Sequence, residues 1–308
     1  MKVFNVIGAG LVVAGACTAA VVLSGSAGES PPVPSTCPER WGGEVGGWVP
    51  TAADIDGAEE SLVPDSPVTA LICAYPGDNS RPGGERLAGS RTLTDQQTAA
   101  MARDLAYLPV TTADLGGPCT AVGGPMTNYL IRFAYPDGRA LWVGSAEEVN
   151  HCVRTTNGTA GTRSYAGPAI TTAYKEGAWR PASPDDPCLG PGDRRGQHES
   201  MVPGRPGRLT VCRDATYRRP PYRKRHGRDV ARALAETLNS LDTVPSQNAC
   251  QASGTDHERD IRLIFDYPEG PAAAVTISIG CVPAIDNGLL QADLNDQVRD
   301  QILHLAPP

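Results

Sequence analysis

Leu130-Ile131-Arg132-Phe133-Ala134-Tyr135-Pro136-Asp137-Gly138 is answered later in the chain by Arg262-Leu263-Ile264-Phe265-Asp266-Tyr267-Pro268-Glu269-Gly270. Both stretches are apolar, β-prone runs that close on Tyr-Pro-acid-Gly. Proline presets φ at the second position of a turn, and glycine fits its end. A further β-prone run follows each turn: Ala140 to Val143 leads towards Cys152, and Val275 to Ile279 leads to Cys281. Each stretch therefore predicts a β-hairpin with a cysteine at its exit, and Cys119 or Cys250 stands before its start.

Working outward, the same order of features surrounds both hairpins. Leu62-Val63-Pro64 precedes a strand ending at Cys73, and Met201-Val202-Pro203 precedes one from Arg208 to Cys212. A loop carrying Arg81, Arg86 and Arg91 leads to Thr94-Asp95-Gln96-Gln97, which has the pattern of a capping box. The helix it opens places Met101, Leu105 and Leu108 on one face and stops at Pro109. From Asp229 a second helix puts Leu234, Leu238 and Leu241 in the same places. After the last cysteines come similar tails, Arg154-Thr155-Thr156-Asn157-Gly158 and Pro283-Ala284-Ile285-Asp286-Asn287-Gly288. Recurrence of cysteines, turn, helix face and order predicts a duplicated unit. The expected fold is α+β: two tandem copies of a small antiparallel sheet with one helix on it, each with two disulfides. The copies span residues 37–176 and 188–308. Between them, Gly177 to Pro187, with Pro181, Pro184 and Pro187, reads as a linker.

The N-terminus predicts export. Lys2 is followed by an uncharged run from Val3 to Leu23 and then by the small residues Ser24-Gly25-Ser26-Ala27-Gly28. This layout suits a cleaved signal, with the cut after Ala27. The same run is long enough for an uncleaved membrane anchor, and Cys17 offers a lipidation site. Residues 1–28 are thus an export signal or anchor, and the Pro- and Ser-rich stretch 29–36 is a spacer. Of nine cysteines, the eight beyond Cys17 suit an oxidising compartment. Eight cysteines allow 105 pairings, and equivalent pairing inside each unit leaves three. Placing partners across each hairpin mouth selects Cys119–Cys152 and Cys250–Cys281, leaving Cys37–Cys73 and Cys188–Cys212. Each such bridge contributes roughly 3–4 kcal/mol in the chain-entropy account.

Charge narrows the function. Over 308 residues, 27 Lys and Arg against 34 Asp and Glu give a net charge of −7, which speaks against a nucleic-acid binder. No serine-hydrolase, zinc-protease or phosphate-loop signature is present, so no catalytic residue is assigned. The histidines His151, His198, His226, His257 and His304 are not spaced as metal ligands, and neither a metal nor a cofactor is expected. His151 reads as a strand-edge residue and Asp256-His257-Glu258 as a solvated loop. The stretch that stands out is Tyr217 to Arg228. Arg218, Arg219, Tyr222, Arg223, Lys224, Arg225 and Arg228 crowd into what reads as an exposed loop of an otherwise acidic chain. Such a loop suits an anionic envelope polymer, an anionic lipid or an acidic protein partner.

A cysteine ending a strand, then a Leu-rich helix, then a hairpin between two cysteines resembles the subtilisin-inhibitor-like domains exported by high-GC Gram-positive bacteria. The matching residues are Cys73, Met101, Leu105, Cys119, Asp137-Gly138 and Cys152, and then Cys212, Leu234, Leu238, Cys250, Glu269-Gly270 and Cys281. The resemblance implies an α+β fold and an inhibitor of secreted serine proteases acting through the segments after Cys119 and Cys250. Two departures stand beside it. No cysteine between Cys73 and Cys119 can take up the family's pairing of the strand cysteine, and Cys119-Thr120-Ala121 and Cys250-Gln251-Ala252 lack the proline that stiffens the family's reactive loop. The expected function is therefore an exported, non-catalytic envelope or extracellular binding module. The alternatives are a serine-protease inhibitor and an extracellular hydrolase whose site is assembled from dispersed residues.

Overall fold

The structure is a computed structural model that describes residues 35–42, 49, 55–81, 83–112, 122–180, 186, 188, 192–214, 221–247, 251–252 and 260–306. Pro34–Pro308 forms one compact unit. The proposed signal or anchor, with Cys17, lies outside the described residues, and among those described no helix is long and apolar enough to cross a membrane.

The first part of the chain runs β1 (Thr69–Asp78), β2 (Gly89–Thr94), α1 (Asp95–Ala106), β3 (Pro125–Ala134), β4 (Ala140–Glu148), β5 (Thr155–Thr156), β6 (Gly161–Thr162) and α2 (Gly167–Glu176). The second runs β7 (Arg208–Arg213), β8 (Tyr222–His226), α3 (Arg228–Asn239), β9 (Val244–Pro245), β10 (Gln251–Ala252), β11 (Asp260–Asp266), β12 (Ala273–Ser278), β13 (Cys281–Val282), β14 (Ile285–Asp286), β15 (Leu290–Ala292) and α4 (Asp296–Leu305). The architecture is α+β, with two large antiparallel sheets and four helices among the described residues. One sheet has the order β2-β1-β3-β4-β5-β6 and the other β8-β7-β11-β12-β14-β15-β9, while β10 and β13 pair separately. The orders coincide position for position up to β9. The expected hairpins are β3–β4 and β11–β12.

Each sheet buries one face under its helices. Ile72, Met101, Leu105, Ile131, Phe133, Val143 and Ile170 belong to the first core, and Val211, Leu234, Leu238, Leu263, Phe265, Val275 and Ile302 to the second. The alternation along β3 and β11 puts their apolar side chains inward at every second residue, so register follows from burial.

The turn that signals each hairpin also ties down the loop before the first strand. Tyr135 Oη donates to Pro64 O at 2.8 Å, and Tyr267 Oη donates to Pro203 O at 2.6 Å. Gly138 and Gly270 both hold positive φ, 87° and 74°, as the turn requires. The tail asparagines reach the same loops from the other side. Asn157 Nδ2 donates to Ala58 O at 2.7 Å and Ser61 O at 3.0 Å, and Asn287 Nδ2 donates to Gln197 O at 2.9 Å and Ser200 O at 3.2 Å. Their Oδ1 atoms accept from Ala160 N and Leu290 N, both at 2.7 Å.

Several expectations change. Each sheet carries two helices, since α2 and α4 join the expected pair. The capping box at Thr94 does not form: Thr94 takes the N-cap position, but its side chain makes no cap hydrogen bond. The loop containing Arg91 becomes the edge strand β2, drawn in by its pairing with β1. Trp179, within the stretch read as linker, is buried in the first core and donates its Nε1–H to Asp104 at 2.7 Å. Pro181 to Asp185 lie outside the described residues. The bridges Cys37–Cys73 and Cys188–Cys212 are present, with Cα separations of 5.7 and 5.8 Å. Cys152 and Cys281 are also disulfide-bonded, but their expected partners, Cys119 and Cys250, lie outside the described residues.

One buried arginine stands among the contacts between the two parts. Arg194 is buried between the rings of Tyr107 and Tyr267, 4.0 and 3.7 Å from their centroids. Its Nη1 donates to Glu269 O at 2.8 Å and Pro271 O at 2.7 Å. Arg195 N donates to Tyr107 O at 2.6 Å beside it.

Candidate functional site

The basic stretch is not a loop where the structure describes it. Tyr222–His226 forms β8, the edge strand of the second sheet, paired with β7. Arg218 and Arg219 lie outside the described residues. A strand alternates its side chains between two faces, and the registers Leu209↔His226, Val211↔Lys224 and Arg213↔Tyr222 place Tyr222, Lys224 and His226 on the helix-covered side. Arg223 and Arg225, opposite Cys212 and Thr210, take the other face. Tyr222 closes the edge against α4 by donating to Leu305 O at 2.8 Å. His226 Nε2 is buried without a hydrogen-bond partner among the described residues. Burial, then the charges of Lys224 and His304, hold this imidazole below its ordinary pKa.

The cations of this edge divide into two sets. Arg223 is held: it pairs with Asp186 at 3.1 Å and Asp214 at 3.3 Å, and donates to Arg213 O at 2.8 Å. Hydrogen bonding to Arg223, and then to the amide of Cys188, lowers the Asp186 pKa. The pairing follows from topology. Arg223 lies opposite Cys212, Cys212 is bridged to Cys188, and Asp186 precedes Cys188 by two residues.

Lys224, Arg225 and Arg228 form the other set. All three are exposed and make no ion pair among the described residues. They run directly into the N-terminus of α3, where Gly227 is the N-cap and supplies no side-chain bond to the first-turn amides. Free amides at a helix N-terminus carry partial positive charge and add to these cations. Two carboxylates temper the field. Asp229 lies in the first turn of α3. Asp266 has its pKa raised by burial, while Arg208 and Arg225 act in the opposite direction.

The matching edge of the first sheet is arranged otherwise. On β2, Arg91 Nε donates to Tyr174 O and Nη2 to Lys175 O at 3.2 Å, so this guanidinium caps the last turn of α2. Sequence reading located the cations of β8 but not their division. The signal available was Asp185-Asp186 just before Cys188, once the Cys188–Cys212 bridge is drawn.

Among the described residues no cluster of His, Cys, Asp and Glu is placed to hold a metal ion. Asp256-His257-Glu258 and the segment directly after Cys119 lie outside them, and Gln251–Ala252, following Cys250, forms β10. No family model, curated protein or solved structure matches the chain.

Proposed function

We propose that this chain is an exported, non-catalytic binding module that takes an anionic ligand, a wall polymer or lipid head group, at β8 and the start of α3. The observation that carries the reading is the exposed set Lys224, Arg225 and Arg228, without an ion pair among the described residues, beside an uncapped helix N-terminus in a chain of net charge −7. Like charges left together oppose compactness, so a cluster without an ion pair among the described residues favours an anionic partner. Lysine and arginine on an edge strand also discourage strand-to-strand aggregation. That role is served by any exposed charge, whereas a continuous cationic run into a helix N-terminus favours an anion.

The same reading takes the two sheets as an internal duplication. One strand order, one tyrosine tie and one buried asparagine recur in both, beside the described bridges. Export rests on the apolar N-terminal run and on disulfides, which suit an oxidising compartment. The test is co-sedimentation with anionic vesicles and titration with a polyphosphate-type polymer at rising salt. Binding should fall steeply as the Debye length shrinks from about 10 Å at 0.1 M to about 3 Å at 1 M. Absence of binding at low salt, or binding indifferent to salt, refutes the reading.

A further inference from the structure

The helix-covered faces of the two sheets differ along one row. Tyr129 lies on β3, with Ser145 opposite on β4, then Thr155 on β5 and Thr162 on β6. The corresponding row of the second sheet is Ile261, Ile277, Ile285 and Ala292. The correspondence is fixed by the cysteines: Cys73 is opposite Leu130 and Cys212 opposite Arg262, one residue beyond Tyr129 and Ile261. All eight positions are buried. An apolar row therefore suffices to build this sheet, and the hydroxyl row of the first sheet is not required by the fold. Polar groups that a fold can do without tend to mark functional sites.

The polar row leads to a cleft. Beyond Tyr129 and Ser145 the next inward pair is Thr127 and Glu147. They line a concavity of about 410 Å³ with Pro125, Met126, Glu148, Val149 and His151. Glu147 is held from behind. The Thr171 hydroxyl of α2 donates to Glu147 Oε2. With its proton committed there, Thr171 Oγ1 accepts from Tyr129 Oη at 2.8 Å. One carboxylate oxygen is thus engaged, and Oε1 has no hydrogen bond among the described residues. Glu148, on the opposite face, is spent structurally, since its oxygens accept from Asn150 N and Cys152 N, both at 2.5 Å. His151 holds a positive φ of 54° and stacks on Tyr165 at 4.5 Å, forming an aromatic wall. No lysine or arginine is among the described lining residues.

We propose that this cleft binds a primary ammonium group, such as a lysine side chain or an amine-bearing polymer, with Glu147 as its counter-charge. The charged groups of the described lining are carboxylates, which accept hydrogen bonds and favour a cationic donor. A guanidinium is best held by both oxygens of a carboxylate, and Glu147 offers one. An ammonium is a point charge satisfied by one carboxylate oxygen and the Thr127 hydroxyl. The Tyr129–Thr171 chain fixes the carboxylate rotamer before the ligand arrives and so reduces the ordering cost of binding. This site is separate from the β8 edge and does not rest on the reading given for it.

The experiment is calorimetric titration of the full chain with Nα-acetyl-lysine methylamide, its arginine counterpart and calcium. The expected result is saturable binding of the lysine probe, weaker binding of the arginine probe, and about tenfold loss in Glu147→Gln. That variant keeps an acceptor for Thr171, so its melting temperature should be unchanged. Thr171→Val should also weaken the lysine probe, by freeing the carboxylate to rotate. No saturable binding, equal affinity in Glu147→Gln, preference for the arginine probe, or displacement of the lysine probe by calcium would each overturn the assignment.

Discussion

Arg194 lies flat against Tyr267, its guanidinium carbon 3.7 Å from the ring centroid, while Tyr107 closes the opposite side. Burial lowers the pKa of this arginine, and its hydrogen bonds run to two main-chain carbonyls, those of Glu269 and Pro271. Truncation strands both carbonyls and removes two cation–π contacts. Arg194→Ala should therefore lose roughly 2–4 kcal/mol. In calorimetry, wild type should unfold in one cooperative transition and the variant in two, as the two parts uncouple. A single transition of unchanged midpoint in the variant would show that the sandwich does not join them.

Asn157 and Asn287 carry matched duties. Each amide donates to carbonyls of the loop before its sheet, and each carbonyl oxygen accepts from its own tail. Either Asn→Ala change leaves several buried main-chain groups unpaired, at about 1–3 kcal/mol each. Both variants should lose stability in urea melts, by amounts that agree within about 1 kcal/mol. A neutral Asn287→Ala would mean that the second loop is held by its tyrosine tie alone.

His226 predicts an acid limb of stability. Its folded pKa is depressed, first by burial and then by Lys224 and His304. The unfolded imidazole takes up a proton near pH 6.5, while the folded one stays neutral to lower pH. Stability is therefore full above the unfolded value and falls as pH drops from about 6.5 through the folded pKa. His226→Gln removes this slope. Comparison of melting midpoints between about pH 7.5 and 5.5, either side of the unfolded value, tests it, and parallel curves for wild type and variant would exclude His226 as the source.

The cations of β8 should separate into binding and structural groups. Replacing Lys224, Arg225 and Arg228 by Ser should abolish anion binding with a stability change within about 0.5 kcal/mol. Arg223→Ser should act the other way. It leaves Asp186 and Asp214 without their partner, and costs stability up to about 1 kcal/mol, since the pairs are partly exposed. Binding should survive. Loss of binding in Arg223→Ser alone would put Arg223 in the ligand contact and overturn this division.

What the sequence determined by itself is local chemistry. Tyr-Pro-acid-Gly specifies a turn wherever it stands, so β3–β4 and β11–β12 were legible, and repeated cysteine order together with the hairpin mouths left Cys37 to pair with Cys73 and Cys188 with Cys212. Tertiary structure decided what local preference cannot. Gly167 to Glu176, which contains a proline and consecutive threonines, is helical because Ile170 and Ala173 enter the first core. Strands β2 and β8 exist because β1 and β7 offer them an edge, and edge pairing is written in no short stretch of either. The candidate site shows the same division. Cationic residues could be counted from the sequence, but Arg223 meets Asp186 only because the Cys188–Cys212 bridge carries that carboxylate to the strand. Attraction between exposed charges is screened over about 10 Å at 0.1 M salt, so which charge is neutralised depends on distances that only the folded sheet sets.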